Sequence, residues 1–449
     1  MTERPKLPIQ AFDYDLPDHC IAYTPANNRA DSKLLVWKEH IIAESTYAQI
    51  ADFIPEKSTL LFNNSKVIAA RILFEKNNKS ETVLSNTNNL KELNLNSANK
   101  NENSVIEIFC LEPSIRYSPV ALAMQATQKV EWICLVGGAK KWKEGCLEKS
   151  FLLQGKKIIV QAKKIEALDG QFLIEFSWEG NFHFSEIIEQ IGNIPLPPYI
   201  HRATTLEDKD RYQTTYAMEE GSVAAPTAGL HFNENIFKSF AAKNIASQFL
   251  TLHVGAGTFL PVKTDNISDH PMHAEFFEVP KPIIEFFLQK EYEKEKIENN
   301  QKPAPVISVG TTTLRTIESL YWLGVKIIQL KKTTSLEKLA PFDLKLLQWD
   351  AYELDQWNIS NKESLTALLD WMELKNLNKL ITSTQLMIVP GYSFKLCNGL
   401  ITNFHQPKST LLLIIAAITG DQWKSIYQHA IDHQYRFLSY GDGSLFWIA

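Results

Sequence analysis

The chain has 449 residues, of which 45% are hydrophobic and 11% aromatic, so it is long enough for two or three domains with a large buried core. Its formal net charge of −5 excludes a generally basic surface, and nucleic-acid binding would need a local basic patch. Five scattered cysteines without a C-x-x-C pair predict reduced cytosolic thiols rather than a disulfide framework or a zinc site.

No stretch of the sequence predicts membrane insertion. The first residues, MTERPKLPIQ, lack the apolar run of a secretory signal. The longest apolar stretch, LLLIIAAI at 411–418, is too short to span a bilayer and predicts one buried element. We therefore expect a cytoplasmic protein with no membrane partner.

The pattern of elements predicts an α/β protein with an inserted β-domain. Ser58–Ile72 is typical of a strand, an Asn-Asn turn and a second strand. Lys76–Ser104 is rich in Asn, Ser, Lys and Glu, lacks aromatics and predicts a disordered insertion. Short strand-like runs then predict a small all-β, barrel-like domain over 74–180. In the remainder, 1–73 and 181–449, strand-like and helical runs alternate after the insertion, which favours an α/β domain with much parallel sheet.

The first candidate site segments follow the β-domain. Three prolines in IPLPPYI fix an extended backbone that presents Tyr199, although a packed connector would look the same. DKDRYQTTYA sets Arg211, Tyr212 and Gln213 side by side, where Arg and Tyr could stack on a base and Gln could read its edge. An ordinary helix start is the alternative for that segment.

GSVAAPTAGLHF, from Gly221 to Phe232, is dominated by small residues that allow a ligand or a strand to approach the backbone closely. Ser222, Thr227 and the backbone N–H groups could hold an anion or a carbonyl oxygen. His231 could titrate near neutrality. A tight strand-to-helix crossover with a buried core histidine is the alternative.

LTLHVGAGTFLPV contains Gly255 and Gly257 beside His253, and a lone G-x-G is a weak indication of a methyltransferase glycine loop. The third glycine is missing, and Pro261 follows where a helix should begin. Close backbone approach to a ligand remains possible. DHPMHAEFFEVP places His270 and His273 beside two glutamates, Glu275 and Glu278; the spacing does not fit a metal motif and favours a His–carboxylate acid–base pair.

Two later segments combine turns with polar groups. SVGTTTLRTIES predicts a strand, a turn and a helix whose first turns carry Thr311, Thr312 and Arg315, an arrangement suited to an anion or a ribose hydroxyl; simple N-capping is the alternative. The second segment, PGYSFKLCNGLITNFHQPKSTL, predicts a pocket wall, and YRFLSYGDGSLF extends it. The candidates in these two runs are Tyr392, Asn403, His405, Lys408, Ser409, Tyr440 and Asp442.

Together, in order and spacing, these motifs resemble the S-adenosylmethionine:tRNA ribosyltransferase-isomerases of queuosine biosynthesis, over nearly the whole chain outside Lys76–Ser104. The resemblance implies a distorted α/β barrel-like domain with a small inserted β-barrel. It implies transfer and isomerisation of the ribosyl part of S-adenosylmethionine onto 7-aminomethyl-7-deazaguanine in a tRNA anticodon loop. The products would be epoxyqueuosine-tRNA, adenine and methionine. S-adenosylmethionine would be a consumed co-substrate, no metal or redox cofactor would be needed, and we expect a monomer.

The resemblance also implies roles for single residues. His231 or His253 would supply base or acid, Arg315 and Thr311–Thr313 would hold polar parts of the substrates, and His405 and Lys408 would complete the wall. Tyr199, Arg211, Tyr212 and Tyr392 are candidates for stacking on the extruded base. The lysine-rich stretches 137–150 and 155–164 could bind phosphates, or form a merely solvated face.

The sequence departs from the family pattern in three places. The frequent Asn-Asp-Thr-Arg is replaced here by Asn63-Asn64-Ser65-Lys66, and a usual Asp is replaced by Asn398. The Gly-Asp-Ala-Met type of ending is replaced by Gly441-Asp442-Gly443-Ser444. These changes leave room for altered substrate preference. Two rival functions are a tRNA-binding paralogue without catalysis and a methyltransferase built around Gly255.

Overall fold

The computed structural model describes residues 5–75, 105–255, 262–296, 303–333 and 335–448. The predicted disorder of Lys76–Ser104 and the predicted role of Gly257 therefore lie outside the described residues. The chain divides into two compact units. The larger unit comprises Met1–Val67 and Leu196–Ala449, and the smaller unit comprises Ile68–Pro195. Within the described residues, no helix combines the length and the apolar character needed to cross a membrane.

The strands are numbered in chain order. They are β1 Lys33–Lys38, β2 Ile41–Thr46, β3 Thr59–Asn63, β4 Ser65–Val67, β5 Arg71–Glu75, β6 Val105–Pro113, β7 Lys129–Gly137, β8 Cys146–Leu153, β9 Lys156–Leu168, β10 Gln171–Trp178, β11 Gly192–Asn193, β12 Glu219–Ser222, β13 Ala246–Leu252, β14 Glu275–Pro280, β15 Val306–Val309, β16 Lys379–Thr384, β17 Gly399–Asn403 and β18 Gly443–Trp447.

The α-helices are numbered in the same way. They are α1 Val120–Gln125, α2 Phe184–Ile191, α3 Leu206–Arg211, α4 Glu234–Ala242, α5 Lys281–Lys296, α6 Thr311–Leu330, α7 Asp350–Leu354, α8 Asn361–Leu374, α9 Thr410–Thr419 and α10 Trp423–Asp432.

The larger unit is an α/β structure built on a nine-stranded sheet with the order β16-β14-β13-β3-β15-β17-β18-β1-β2. Its centre is parallel, since β3 pairs in parallel with β13 and β15, and β15 pairs in parallel with β17. Antiparallel pairs β13–β14 and β14–β16 form one side, and β17–β18 and β1–β2 occur on the other. The carboxyl ends of the central strands consequently meet at one edge, where α/β proteins usually bind ligands.

Both faces of this sheet are buried, which explains why its strands are almost uniformly apolar. Along β1, Leu35 and Trp37 pack into one core cluster while Leu34 and Val36 pack into another. The first cluster contains much of α6, α8 and α9, whose apolar residues require cover on nearly all sides. The predicted buried element at 411–418 is confirmed as α9.

The smaller unit contains a seven-stranded antiparallel sheet with the order β11-β5-β6-β7-β10-β9-β8. The strand-like runs predicted from sequence are confirmed as β6, β7, β9 and β10. Two short helices, α1 and α2, accompany the sheet, and Phe184 of α2 stacks near Trp132, Phe176 and Trp178. This unit is therefore not built from strands alone, and its closure into a barrel stays a prediction.

The first predicted strand pair has a different partner arrangement from a hairpin. The segment after the Asn-Asn turn divides into β4 and β5, and β4 pairs in parallel with β12 rather than with β3. Asn63 ends β3 by exchanging hydrogen bonds with the Leu252 backbone, at 2.9 and 3.0 Å. β4 and β12 form a separate two-stranded sheet, and β12 runs into the start of GSVAAPTAGLHF.

Candidate active site

A cleft of about 680 Å³, including its open mouth, lies where the central parallel strands end. Val254 follows β13, Gly310 follows β15, and Phe404 and His405 follow β17, and all four line the cleft. It is mostly apolar, with a few converging polar groups, as expected of a small-molecule site. The predicted site residues that line it are Tyr199, Thr227, Thr311, Thr312, Asn403, His405 and Ser409.

The small-residue segment 221–232 forms one wall of the cleft. Ala225, Pro226, Thr227 and Ala228 line it. Ser222 does not line it but fixes this wall, because its hydroxyl donates to the Ala224 carbonyl at 2.7 Å and accepts from the Val254 amide at 3.0 Å. The small side chains therefore place backbone, rather than bulk, against any molecule in the cleft.

Two helices begin at the cleft. Thr311 and Thr312 are the first residues of α6, and Ser409 precedes α9. Gly310 takes a positive φ of 94° at the strand-to-helix turn, which strongly favours glycine. Ser409 is the N-cap of α9: its hydroxyl accepts from the Leu412 amide at 3.2 Å and donates to the Gln406 carbonyl at 2.8 Å. The positive ends of two helix dipoles make this wall suitable for negative charge.

Asn403 connects the cleft to the residues behind it. Its side-chain oxygen accepts from the Thr227 hydroxyl at 2.8 Å, so its amide nitrogen faces the other way. That nitrogen lies 3.2 Å from Nε2 of His231 and 3.4 Å from the Asp442 carbonyl. Asn403 thus donates to His231, which requires an unprotonated Nε2 on this imidazole.

His231 is buried behind this asparagine. Its ring stacks on Tyr47, with ring centroids 4.2 Å apart. Burial, followed by the positive charges of Arg436 and Arg29, lowers the pKa of His231 to about 3. The imidazole is therefore neutral at pH 7, and a hydrogen bond with the Arg29 backbone supports its orientation.

A second, smaller cavity of about 240 Å³ lies on the other side of His231. Arg29 and Arg211 line it together with His231, Ser439 and Tyr440. Both guanidinium groups donate to backbone carbonyls: Arg29 to Leu230 and Asp210, Arg211 to Asn27 and Ala26. Both arginines are thus held in place beside the site.

Ser439 lines both cavities. Its hydroxyl hydrogen-bonds the Tyr199 hydroxyl, which also accepts from the Ser439 amide at 3.0 Å. Tyr440, the next residue, donates to Asp208 at 2.8 Å. Although burial opposes it, hydrogen bonds led by that from Arg202 lower the pKa of Asp208. Tyr199 and Tyr440 are therefore fixed by a buried polar network.

His405 is the predicted histidine that lines the cleft. Burial lowers the pKa of His405 to about 3, so its imidazole is neutral at pH 7. Nε2 lies 3.1 Å from the Thr402 hydroxyl, and Tyr14 donates to the His405 carbonyl. A neutral imidazole with one nitrogen held by a neighbour can accept or relay a proton at the other.

The remaining predicted site residues lie outside the cleft lining. Arg315 pairs with Glu275, and both side chains are buried. Tyr392 donates to Glu318 at 2.9 Å and accepts from Trp322 at 2.7 Å, so it is held in the core. Gln213 accepts from the Val67 amide at 3.0 Å, and Nζ of Lys408 lies 2.8 Å from Asp13. The others are Tyr212 and Asp442, which are buried; His253 and Gly255, which are half-buried; and His273, which is exposed.

The two glutamates of DHPMHAEFFEVP both pair with cations, Glu275 with Arg315 and Glu278 with Lys379 at 2.5 Å. This arrangement gives no support to the His–carboxylate acid–base pair predicted in that segment. Burial lowers the pKa of both His253 and His270. Their imidazoles are therefore favoured in the neutral form.

Sequence reasoning missed several cleft residues that lie inside the motifs it quoted. Thr402, Phe404, Gln406, Leu438 and Ser439 all line the cleft. Thr402 and Ser439 stand one residue from Asn403 and Tyr440, and their hydroxyls could have drawn attention. Nothing in the sequence indicated that Arg29 would approach His231, because about 200 residues separate them.

Comparisons with known proteins identify the family of the chain. The family model of the queuosine biosynthesis proteins matches residues 9–446. An S-adenosylmethionine:tRNA ribosyltransferase-isomerase of Halothermothrix orenii is 34% identical over 440 residues, which cover 97% of this chain and 99% of that protein. A crystal structure of an S-adenosylmethionine tRNA ribosyltransferase from Thermotoga maritima matches 97% of this chain and 99% of its own at 22% identity, with a TM-score of 0.41 too low to support further argument.

The fold and the cleft at the strand ends define an α/β protein with a candidate small-molecule site. The chain belongs to the queuosine biosynthesis protein family. It is an enzyme of the transferase and isomerase type.

Proposed function

We propose that this enzyme transfers and isomerises the ribosyl moiety of S-adenosylmethionine onto 7-aminomethyl-7-deazaguanine at the wobble position of a tRNA. The products are epoxyqueuosine-tRNA, adenine and methionine. One observation carries the proposal: five separate sequence motifs contribute Tyr199, Thr227, Thr311, Asn403 and Ser439 to one cleft. The relative from Halothermothrix orenii is named an S-adenosylmethionine:tRNA ribosyltransferase-isomerase and aligns over almost the whole chain, which supports the general reaction type.

The cleft offers the groups that this reaction requires. The sulfonium of S-adenosylmethionine acidifies the C5′ hydrogens, and a base removes one of them. Adenine leaves, the amine of the modified base attacks C1′, and methionine departs as the epoxide closes. His405 is the proton acceptor that we favour, since it is neutral and faces the cleft.

His231 acts through Asn403 rather than by direct contact. Asn403 donates to its Nε2. The neutral, buried imidazole therefore fixes the orientation of the Asn403 amide towards any charge that develops on substrate nearby. The start of α6, with Thr311 and Thr312, stabilises negative charge as adenine departs or holds the methionine carboxylate. Arg315 and Glu275 position α6 from behind as a buried pair.

The base is recognised in an anticodon loop, and Tyr199 is the stacking candidate that reaches the cleft. Arg211 and Tyr440 bound the second cavity, and we assign them to binding an adjoining part of a substrate. S-adenosylmethionine is consumed as a co-substrate, and the reaction itself needs no metal or redox cofactor. The protein works as a cytoplasmic monomer.

We also propose a barrel-like architecture for both units. The smaller unit closes into a barrel, which is supported by the hydrogen bond from Lys149 in β8 to the Leu73 carbonyl in β5, at 3.0 Å. These strands are far apart in the strand order. The nine-stranded sheet of the larger unit is distorted towards a barrel, as the family resemblance implies.

Mass spectrometry of an anticodon stem–loop tests the function. The stem–loop carries 7-aminomethyl-7-deazaguanine and is incubated with the protein and S-adenosylmethionine, while adenine is measured in parallel. Adenine release with the epoxycyclopentanediol adduct is the expected result. An unchanged fragment that still binds would indicate an inactive paralogue, and a single methyl increment would indicate a methyltransferase.

A further inference from the structure

Three metal-binding side chains meet on the surface of the larger unit, in a group that shares no residue with the cleft. They are Glu44, His429 and His433, and one ligand atom from each lies within 4.8 Å of the others. Nε2 of His429 is 2.6 Å from Oε1 of Glu44, and Nε2 of His433 is 3.7 Å from the same oxygen. Two imidazole nitrogens therefore converge on one carboxylate.

The fold brings these residues together from distant parts of the chain. Glu44 lies on the edge strand β2, opposite Leu35 of β1. His429 lies in the last turn of α10, and His433 caps that helix four residues later. Residues at i and i+4 share one helix face, so the two rings stack with centroids 3.8 Å apart and both present Nε2 to the strand.

His433 is already oriented as a ligand. Its Nδ1 lies 2.8 Å from the His429 carbonyl and donates to it, which fixes the tautomer whose free nitrogen is Nε2. Histidines that bind metals usually donate their other ring N–H to a carbonyl or carboxylate in this way. An ordinary surface ion pair between one histidine and one glutamate needs neither the second ring nor its fixed tautomer.

We propose that Glu44, His429 and His433 form a binding site for Zn²⁺. Two imidazoles and one carboxylate are a common zinc ligand set, with bonds of about 2.0–2.2 Å. Such an ion holds its ligand atoms about 3.3 Å apart, so binding requires the 2.6 Å contact between His429 and Glu44 to widen and the 3.7 Å distance from His433 to Glu44 to shorten, each by less than about 1 Å. Water completes the four ligands, because Glu44 and His433 are exposed.

The bound ion would link the edge strand to the end of α10. From there the chain runs through Tyr435 to Asp442, and this stretch contains Ser439 and Tyr440 beside the two cavities. Lys33 already holds this corner by donating to the carbonyls of His433 and Gln434, at 2.7 and 3.3 Å. Zinc would thus act as a structural tie that stabilises the segment and would take no part in proton transfer at the cleft.

Titration of the chelator-treated, full-length protein with ZnCl₂ alone tests the site, with isothermal calorimetry as the readout. All proteins carry Cys146→Ser, because Cys146 is the exposed thiol among the cysteines and could bind zinc itself. Glu44→Gln keeps a hydrogen-bond acceptor for His429 but loses the anionic ligand, and His433→Gln removes one imidazole. His201→Gln, at an exposed histidine outside the cluster, is the matched control.

We expect one zinc ion per chain, with affinity about tenfold to a hundredfold weaker in Glu44→Gln and His433→Gln, and unchanged in His201→Gln. Zinc should also raise the melting temperature of the parent protein but not of the two site variants. Melting curves without zinc show that each variant is folded. Equal affinity in the parent and both site variants, or no zinc binding by the parent, would overturn the proposal.

Discussion

At the scale of single residues, two buried histidines make stability depend on pH. Burial lowers the pKa of His231 and of His405 to about 3, whereas an unfolded histidine titrates near 6.5. Between these values the unfolded chain binds protons that the folded chain does not, so stability falls as the pH falls from 7 towards 3. Each histidine should cost about 2 kcal/mol between pH 7 and pH 5. Urea unfolding at the two pH values measures this loss.

The variant His405→Gln isolates one histidine in this comparison. Glutamine retains polar atoms near the Thr402 hydroxyl but cannot bind the extra proton in the unfolded chain. The stability lost between pH 7 and pH 5 should therefore be about 2 kcal/mol smaller in the variant. An identical loss in both proteins would show that His405 is not held neutral.

Asn403 should control activity through the direction of its amide. In Asn403→Asp, a second carboxylate oxygen replaces the N–H that donates to His231 Nε2 and the Asp442 carbonyl. This oxygen then faces two other acceptors, Nε2 of His231 and the Asp442 carbonyl, and can donate a hydrogen bond to neither. We therefore expect kcat to fall by about a hundredfold. Single-turnover adenine release measures the effect.

Asn398→Asp is the matched control for that substitution. Asn398 Oδ1 accepts from the Val306 amide at 2.9 Å, and an aspartate can still accept there. Asn398 is exposed, so water can solvate the added charge, and kcat should stay close to that of the parent. Equal losses in the two variants would point to a general effect of added charge rather than to the bond with His231.

At the scale of elements, the crossing of α6 and α8 depends on one glycine. A Cβ on Gly324 would lie 2.1 Å from the Ser364 carbonyl oxygen. Helix propensity alone would make Gly324→Ala stabilising by about 1 kcal/mol, but the collision forces the helices apart. We expect net destabilisation of about 1–3 kcal/mol, measured by urea unfolding, and Asp370→Ala on the exposed face of α8 should change stability by less than about 0.5 kcal/mol. If Gly324→Ala stabilised the protein, α8 would be able to move away from the added methyl group without loss of stability.

Elements with a strong local pattern were predictable from sequence. The strand, turn and helix predicted for SVGTTTLRTIES are confirmed as β15, Gly310 and α6. Strand partners were not predictable, because β3 pairs with β13 and β15, nearly 200 and 250 residues away. Asn63 and Asn64 of the predicted Asn-Asn turn both bind the distant strand β13, since Asn63 binds Leu252 and Asn64 accepts from Thr251 at 2.8 Å. Long-range hydrogen bonds prevailed over local turn chemistry there.

At the scale of the whole molecule, the sequence motifs located the cleft better than they assigned roles. Thr227, Asn403 and His405 reach the cleft, whereas Arg315 and Tyr392 serve the core. A charged or aromatic residue in a motif has the same letter whether it faces a ligand or a buried partner. The partner of Arg315 is 40 residues away, and only the folded chain shows that its charge is neutralised.

The lysines of the smaller unit provide the last prediction at this scale. Lys156 and Lys157 begin β9 and are exposed, and the overall charge of −5 leaves tRNA binding dependent on local basic patches. If each contacts one phosphate, replacing both with alanine should reduce the slope of log K against log salt by about 1.4–1.8. Affinity for tRNA should weaken and the KM for S-adenosylmethionine should stay the same. Filter binding over a salt series measures the slope, and Lys331→Ala with Lys332→Ala, an exposed pair in the larger unit, is the control. An unchanged slope in the Lys156 and Lys157 variant would show that these lysines form only a solvated face, since phosphate contacts release counterions wherever they form.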